Sequence, residues 1–323
     1  MKMSPFRNSV TYFILGSFIL GLVLIGFISS KRGLDDAFQE LFNRNYSIFA
    51  LNIPEELSFA GEPVPIDYFD VRESLDRELL VNTYWQSQTL LFIKRANRYF
   101  PMIENILRKN NIPDDFKYIA LAESGLTHAI SPVGAVGFWQ FMEGTAREYG
   151  LEISKEVDER YHIEKSTRAA CRYFKKSYES YGNWAMVAAS YNNGKRGLDT
   201  QVERQENQNY YDLLLNEETA RYLYRLLALK LILSDPGKYG FHFRAEDLYP
   251  PINTNKVTVD TTIHSMVAFA EHFGMNYKLL KYFNPWLRET YLTKKTHKIY
   301  EIDIPEKGFR SSVYQMQPAA LSD

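Results

Sequence analysis

Residues 10–28, VTYFILGSFILGLVLIGFI, hold no charged side chain, with Lys2 and Arg7 before them and Lys31 and Arg32 after. As an α-helix this stretch would be about 28 Å long, close to the hydrocarbon thickness of a bilayer. A core helix of a globular domain carries a polar stripe, and none runs along these five turns, so the segment reads as a membrane helix. A cleaved signal peptide has a shorter apolar region that ends in small residues. The length favours an uncleaved anchor, with Gly26, Ser29 and Ser30 as the alternative cleavage region. Basic residues flank both ends, so charge gives no vote on orientation.

The remainder must fold as globular, aromatic-rich domains. Lys and Arg number 38 against 39 Asp and Glu, a formal net charge of -1, while 45% of residues are hydrophobic and 15% aromatic. That balance excludes a nucleic-acid binder with a basic face and a disordered acidic tail. The single Cys171 can form no internal disulfide. The six histidines, at 128, 162, 242, 264, 272 and 297, show no ligand spacing, and no metal or other cofactor is expected.

Residues 31–70 contain Pro54, Gly61, Pro63 and Pro65 and read as a linker after an anchor at 1–30. Helical periodicity then dominates residues 71–245, over 74–96, 100–109, 114–124, 145–149, 167–181, 184–191 and 217–233. Pro113 opens one helix, with Asp114 and Asp115 in its first turn, and Gly125, Gly150 and Gly182 sit just past helix ends. Residues 246–305 read strand–helix–helix–strand, with strands at 256–260 and 298–304, and 306–323 are a tail. The fold class expected is mainly α, with a small α+β module near the C-terminus.

Within the helix opened by Pro113, residues Phe116, Ile119, Ala120 and Glu123 fall at i, i+3, i+4 and i+7, so a carboxylate shares the apolar stripe. The ordinary reading is a Glu that snorkels out at a helix end or pairs with an Arg. The chemical reading is a desolvated acid whose raised pKa lets it donate a proton near neutral pH.

The run ESGLTHAISPVGAVGFWQFM from Glu123 onward resembles the first two motifs of the lytic transglycosylase domain of bacterial wall enzymes. Ala189-Ser190-Tyr191-Asn192-Asn193-Gly194 is similar to its Tyr-Asn-x-Gly turn, and Glu218-Thr219-Ala220-Arg221-Tyr222 to its Glu-Thr-x-x-Tyr helix start. Four ordered motifs within about a hundred residues make a specific match, and Trp139 after Phe138 points to the membrane-bound murein branch. The resemblance implies a lysozyme-like helical catalytic domain, with Glu123 as general acid and then base. It also implies Ser131, Gln140, Met142, Tyr191, Asn192 and Tyr222 around the sugar. Two residues depart from the pattern: Phe138 stands where Leu is usual, and Asn193 where a small residue is. Residues 256–304 resemble a degenerate LysM module, with Val259 in place of the usual Gly. The implied partners are peptidoglycan glycan strands and, through the N-terminal helix, a membrane facing the periplasm. A lysozyme-like hydrolase and a non-catalytic wall-binding scaffold are the alternatives.

Overall fold

The computed structural model describes residues 48–312; the apolar stretch at 10–28 lies outside the described residues. The compact unit described here starts at Leu51; of the unit before it only 48–50 are described, without regular structure. Among the described residues no helix is long and apolar enough to cross a membrane.

Two helices lead: α1 over Phe69–Tyr84 and α2 over Gln86–Lys109. They break at Trp85, whose ψ of 58° is not helical. The periodicity had merged residues 74–96 across this point, because a helix break without Gly or Pro leaves no mark in the pattern. Conversely, Pro101 lies inside α2 and does not end it. Proline there costs one backbone hydrogen bond, about 3 kcal/mol. It sits on the exposed side, while Phe100, Ile103, Ile106 and Leu107 hold the opposite face in the core.

A 3₁₀ turn at Asp114–Phe116 leads into α3 over Lys117–Ser124, followed by α4 at Glu143–Glu148, α5 at Ile163–Tyr181 and α6 at Trp184–Asn193. Next come α7 at Lys195–Gln205, which sequence periodicity missed, and α8 at Glu217–Ser234. Helix α7 buries only Leu198, so it carries almost no apolar stripe to read. Helix α8 is buried on most of its circumference, through residues such as Tyr222, Leu223, Leu226, Leu227 and Ile232, and is the central helix of the bundle. Asn216 caps it, its Oδ1 accepting from Thr219 N at 3.0 Å.

The segment read as a linker is folded in its second half. Strands β1 (Ser58–Phe59) and β2 (Glu62–Pro63) form a short hairpin, and Phe59, Val64 and Ile66 enter the helical core. Glu62 supplies its carboxylate to the start of α6, accepting from Trp184 N at 2.8 and 2.9 Å. Asp115 ties the hairpin down by accepting from Ala60 N at 2.6 Å and from Lys230 Nζ at 2.7 Å.

The C-terminal module is an antiparallel pair, β3 over Thr254–Val259 and β4 over Tyr300–Pro305, with α9 (Met266–His272) and α10 (Tyr277–Phe283) between them. Asn284, fully buried, closes it: the side chain donates to Leu280 O and Asp303 O and accepts from Asp303 N. Its core is not its own alone. Val136, Val157 and Tyr161 from the helical domain pack into the same cluster as Trp286, Leu287 and Ile302. Backbone bonds from Asp158 N to Trp286 O and from Arg288 N to Glu156 O stitch the two together.

Candidate active site

Glu123 occupies the last turn of α3, which Gly125 ends in the left-handed region at φ +60°. A Cβ there would meet the Phe92 ring at 2.8 Å, so a side chain is disfavoured. Phe116, Ile119 and Ala120 are fully buried, which places the carboxylate on the core stripe as the spacing required. Ser124, next to it, directs its hydroxyl to Ala120 O and Phe138 O, fastening α3 to the loop that follows.

That loop is shaped by Gly137 and by Arg160. Gly137 has φ +80°, and a Cβ would stand 2.3 Å from Arg160 O. The Arg160 guanidinium is paired with Asp158 at 2.7 Å and donates to Gly134 O and Phe141 O. Phe138, the departure from Leu, is 1% exposed and packs edge-on against Tyr99 and beside His128. The larger side chain therefore has room behind the loop.

Tyr222 on α8, 1% exposed, donates its hydroxyl to Glu123 Oε1 at 2.6 Å. Glu123 is half-buried as a residue, but its carboxyl group is far enough from water that burial raises the pKa from 4.5 to about 7. The Tyr222 bond and the charge of Arg225 oppose that rise, and the Glu218 carboxylate adds to it. Tyr191, on α6, donates to Trp139 O at 2.5 Å, and its own pKa is driven up first by burial and then by the Glu123 charge. The structure thus brings together Glu123, Tyr191 and Tyr222.

The remaining candidates lie farther out. Asn192 accepts from Thr219 Oγ1 at 2.8 Å and donates to Glu218 Oε1 at 3.3 Å, one residue removed from Glu123. Ser131 accepts from Ala135 N within the loop. Gln140, held at φ +47°, commits its amide N–H groups to Ala129 O and Gly137 O. Both read here as builders of the loop. Met142 is 45% exposed at the start of α4, open to a ligand. Glu143 and Glu148 lie on the surface, ion-paired with Arg147 and Lys176.

Sequence reasoning missed Glu218 as a neighbour of Glu123, and it missed Glu78. The latter is 1% exposed on α1 and binds Arg77, Arg221 and Arg225. The signal was the same as for Glu123: a carboxylate set among Leu75, Leu79 and Asn82 on a buried face. Among the described residues no cluster of three His, Cys, Asp or Glu side chains could hold a metal. His128 and His162 are instead neutral packing groups, burial lowering their pKa to about 4 and about 3.

Two families match the chain. The Transglycosylase SLT domain covers residues 100–214, which span Glu123, Tyr191 and the loop between them. The soluble lytic transglycosylase C-terminal LysM-like domain covers residues 255–308. Membrane-bound lytic murein transglycosylase D of Escherichia coli K12 is 28% identical over 220 residues, 66% of this chain and 47% of the relative. The protein of the same name from E. coli O6:H1 matches equally. The chain therefore spans about half the length of these relatives. It carries a Transglycosylase SLT domain followed by a LysM-like domain of the soluble lytic transglycosylase type, and is homologous to membrane-bound lytic murein transglycosylase D.

Proposed function

We propose that this protein is a peptidoglycan lytic transglycosylase that cleaves the β-1,4 bond between N-acetylmuramic acid and N-acetylglucosamine. The observation that carries the reading is Glu123: a carboxyl group raised to about 7 by burial and held by Tyr222 at 2.6 Å. Such a group is substantially protonated at neutral pH and still basic enough to take a proton back.

Glu123 gives its proton to the bridging oxygen, which leaves with the N-acetylglucosamine. The acetamido group of the substrate stabilises the positive charge left at the anomeric carbon. The 6-hydroxyl of the same muramic sugar then attacks that carbon, and its proton passes to Glu123, restoring the acid. No water is consumed, and attack from within the ring benefits from proximity. Tyr191, Asn192 and Tyr222 line one side of the sugar, with Met142 opposite on the loop that Ser131 and Gln140 shape. Anchoring by residues 10–28, with the folded part in the periplasm, would hold the enzyme near its polymer. The membrane-bound description of the relatives supports envelope association.

Digestion of purified peptidoglycan tests this by product mass. Anhydro ends, lighter by one water than hydrolysed ends, are expected. Free reducing ends alone would make the protein a hydrolase, with Glu218 the carboxylate to examine as its base.

A further inference from the structure

The loop that follows α3 is gripped by one buried side chain, Arg160. This residue lies in a 3₁₀ turn at Glu159–Tyr161 that Asp158 caps, accepting from Arg160 N at 3.1 Å. Both are buried, at 8% and 7% exposure. The Asp158 carboxylate takes the guanidinium on one edge, from Nε at 3.0 Å and from one terminal nitrogen at 2.7 Å. The other terminal nitrogen donates to Gly134 O at 3.1 Å and to Phe141 O at 3.3 Å, at opposite ends of the loop. Arg160 also meets the middle of the loop, where its carbonyl oxygen occupies the space that a Cβ on Gly137 would need.

Stability alone does not account for an ion pair in this place. Taking two charges out of water offsets most of what their attraction returns, and apolar side chains of similar volume often serve a fold as well. What a guanidinium adds is direction. Its planar fork, once fixed on a carboxylate, aims the remaining N–H groups along set lines. Here those lines end on backbone carbonyls, so the pair shapes the loop whatever side chains the loop carries. The same loop is bound to the site itself: Phe138 O accepts from Ser124, the neighbour of Glu123, and Trp139 O from Tyr191. Met142 directly follows Phe141 and is open to a ligand.

Asp158 is fixed in turn by the C-terminal module, its N–H donating to Trp286 O at 2.9 Å, and Val157 beside it bridges to Leu287. A run of hydrogen bonds thus leads from the module through Asp158 and Arg160 to the loop. Arg160 is too deeply buried to meet a polymer, so its effect passes through the residues it holds. On the basis of the glycan cleavage described above, we propose that Arg160 is a positioning residue: clamped by Asp158, it fixes the loop from Gly134 to Phe141 so that Met142 is presented to the sugar beside Glu123. The groups that act on the Glu123 carboxyl, namely Tyr222, Glu218 and Arg225, all lie on α8 and stay in place when Arg160 changes.

Two variants of the full chain test this. Arg160→Lys keeps a charge beside Asp158 but has no fork to reach both carbonyls. Asp158→Asn combined with Arg160→Met leaves no buried charge unpaired, and the Asn keeps the cap on the turn, so it carries the test if Arg160→Lys does not fold. Each is compared with wild type at matched folded fraction, by kcat and KM on soluble peptidoglycan strands across pH. The ¹³C methyl signal of Met142, assigned through Met142→Leu, reports the loop without any reaction. A loop that only seats substrate contributes uniform binding, so KM should rise at least about fivefold while kcat changes by less than about twofold. The alkaline limb of the pH profile should stay where the wild type has it, and the Met142 signal should move. An unmoved Met142 signal overturns the proposal, as does an unchanged KM or a displaced alkaline limb. Should the wild type cleave no peptidoglycan, the transglycosylase reading falls, and the Met142 signal alone decides the role of Arg160.

Discussion

The Tyr222 hydroxyl lies 2.6 Å from Glu123 Oε1, joining the central helix α8 to the last turn of α3 across 99 residues of sequence. That bond works against the burial of the acid, because it favours the ionised form. Removing it is expected to raise the pKa of Glu123 further. A general acid loses activity as pH rises through its pKa, so in Tyr222→Phe the alkaline limb of the kcat/KM profile should move to higher pH. Glu218 acts in the opposite sense, and Glu218→Gln should move the same limb to lower pH. Profiles of the two variants that shift together would contradict this electrostatic account.

Glu123→Gln should lose at least about a hundredfold in activity while keeping its fold, since an amide cannot donate the proton. It should also be more stable above neutral pH. The folded pKa, about 7, exceeds the value of 4.5 expected without burial, so the folded state holds the proton longer than the unfolded one. Stability of the wild type therefore falls as pH rises from 4.5 to 7 and stays lower beyond. Thermal or denaturant unfolding at pH 8 should show the variant more stable by roughly 2 kcal/mol, the partial exposure of the residue reducing the full linkage value. The difference should vanish below pH 4.5.

Gly137→Ala should destabilise the protein by at least about 2 kcal/mol, because a positive φ and a backbone clash act together. The added methyl would stand 2.3 Å from Arg160 O, which belongs to the residue that holds the loop through Gly134 O and Phe141 O. Denaturant midpoints check the stability. A drop in activity larger than the drop in folded fraction would show that the loop had moved as well.

Glu78→Ala should cost about 1–3 kcal/mol, since it removes the buried carboxylate that Arg221 and Arg225 share and leaves Arg221 with Glu217 alone. Glu78→Gln keeps the shape and some hydrogen bonds and should cost less. Equal stability of wild type and Glu78→Ala in urea would mean that the arginines turn outward to water without loss.

The sequence revealed what periodic burial writes into it. The apolar stripe of α3 showed Glu123, and the capping residues around Gly125 and Gly182 marked helix ends within a few positions. It did not reveal α7, which buries one side chain, or the break at Trp85, where no Gly or Pro marks the change of ψ. Gln140 and Ser131 show a different limit. Motif likeness places them beside the sugar; that Ser131 Oγ and Gln140 Nε2 also bond the loop itself depends on backbone geometry that no spacing encodes. The fold of residues 51–66 onto the core was hidden by its prolines, which break helices but do not prevent packing.

Val136, Val157 and Tyr161 sit in the SLT domain by sequence and in the hydrophobic cluster of the LysM-like module by contact. Glu152 adds Lys295 and Lys298 from the same side, each at 2.5 Å. A module attached this way is not a cassette. Exchanging it for another unit would strip the apolar backing from Val136, one residue before Gly137, so the part of the chain that looks detachable in sequence helps to hold the loop after α3 in place.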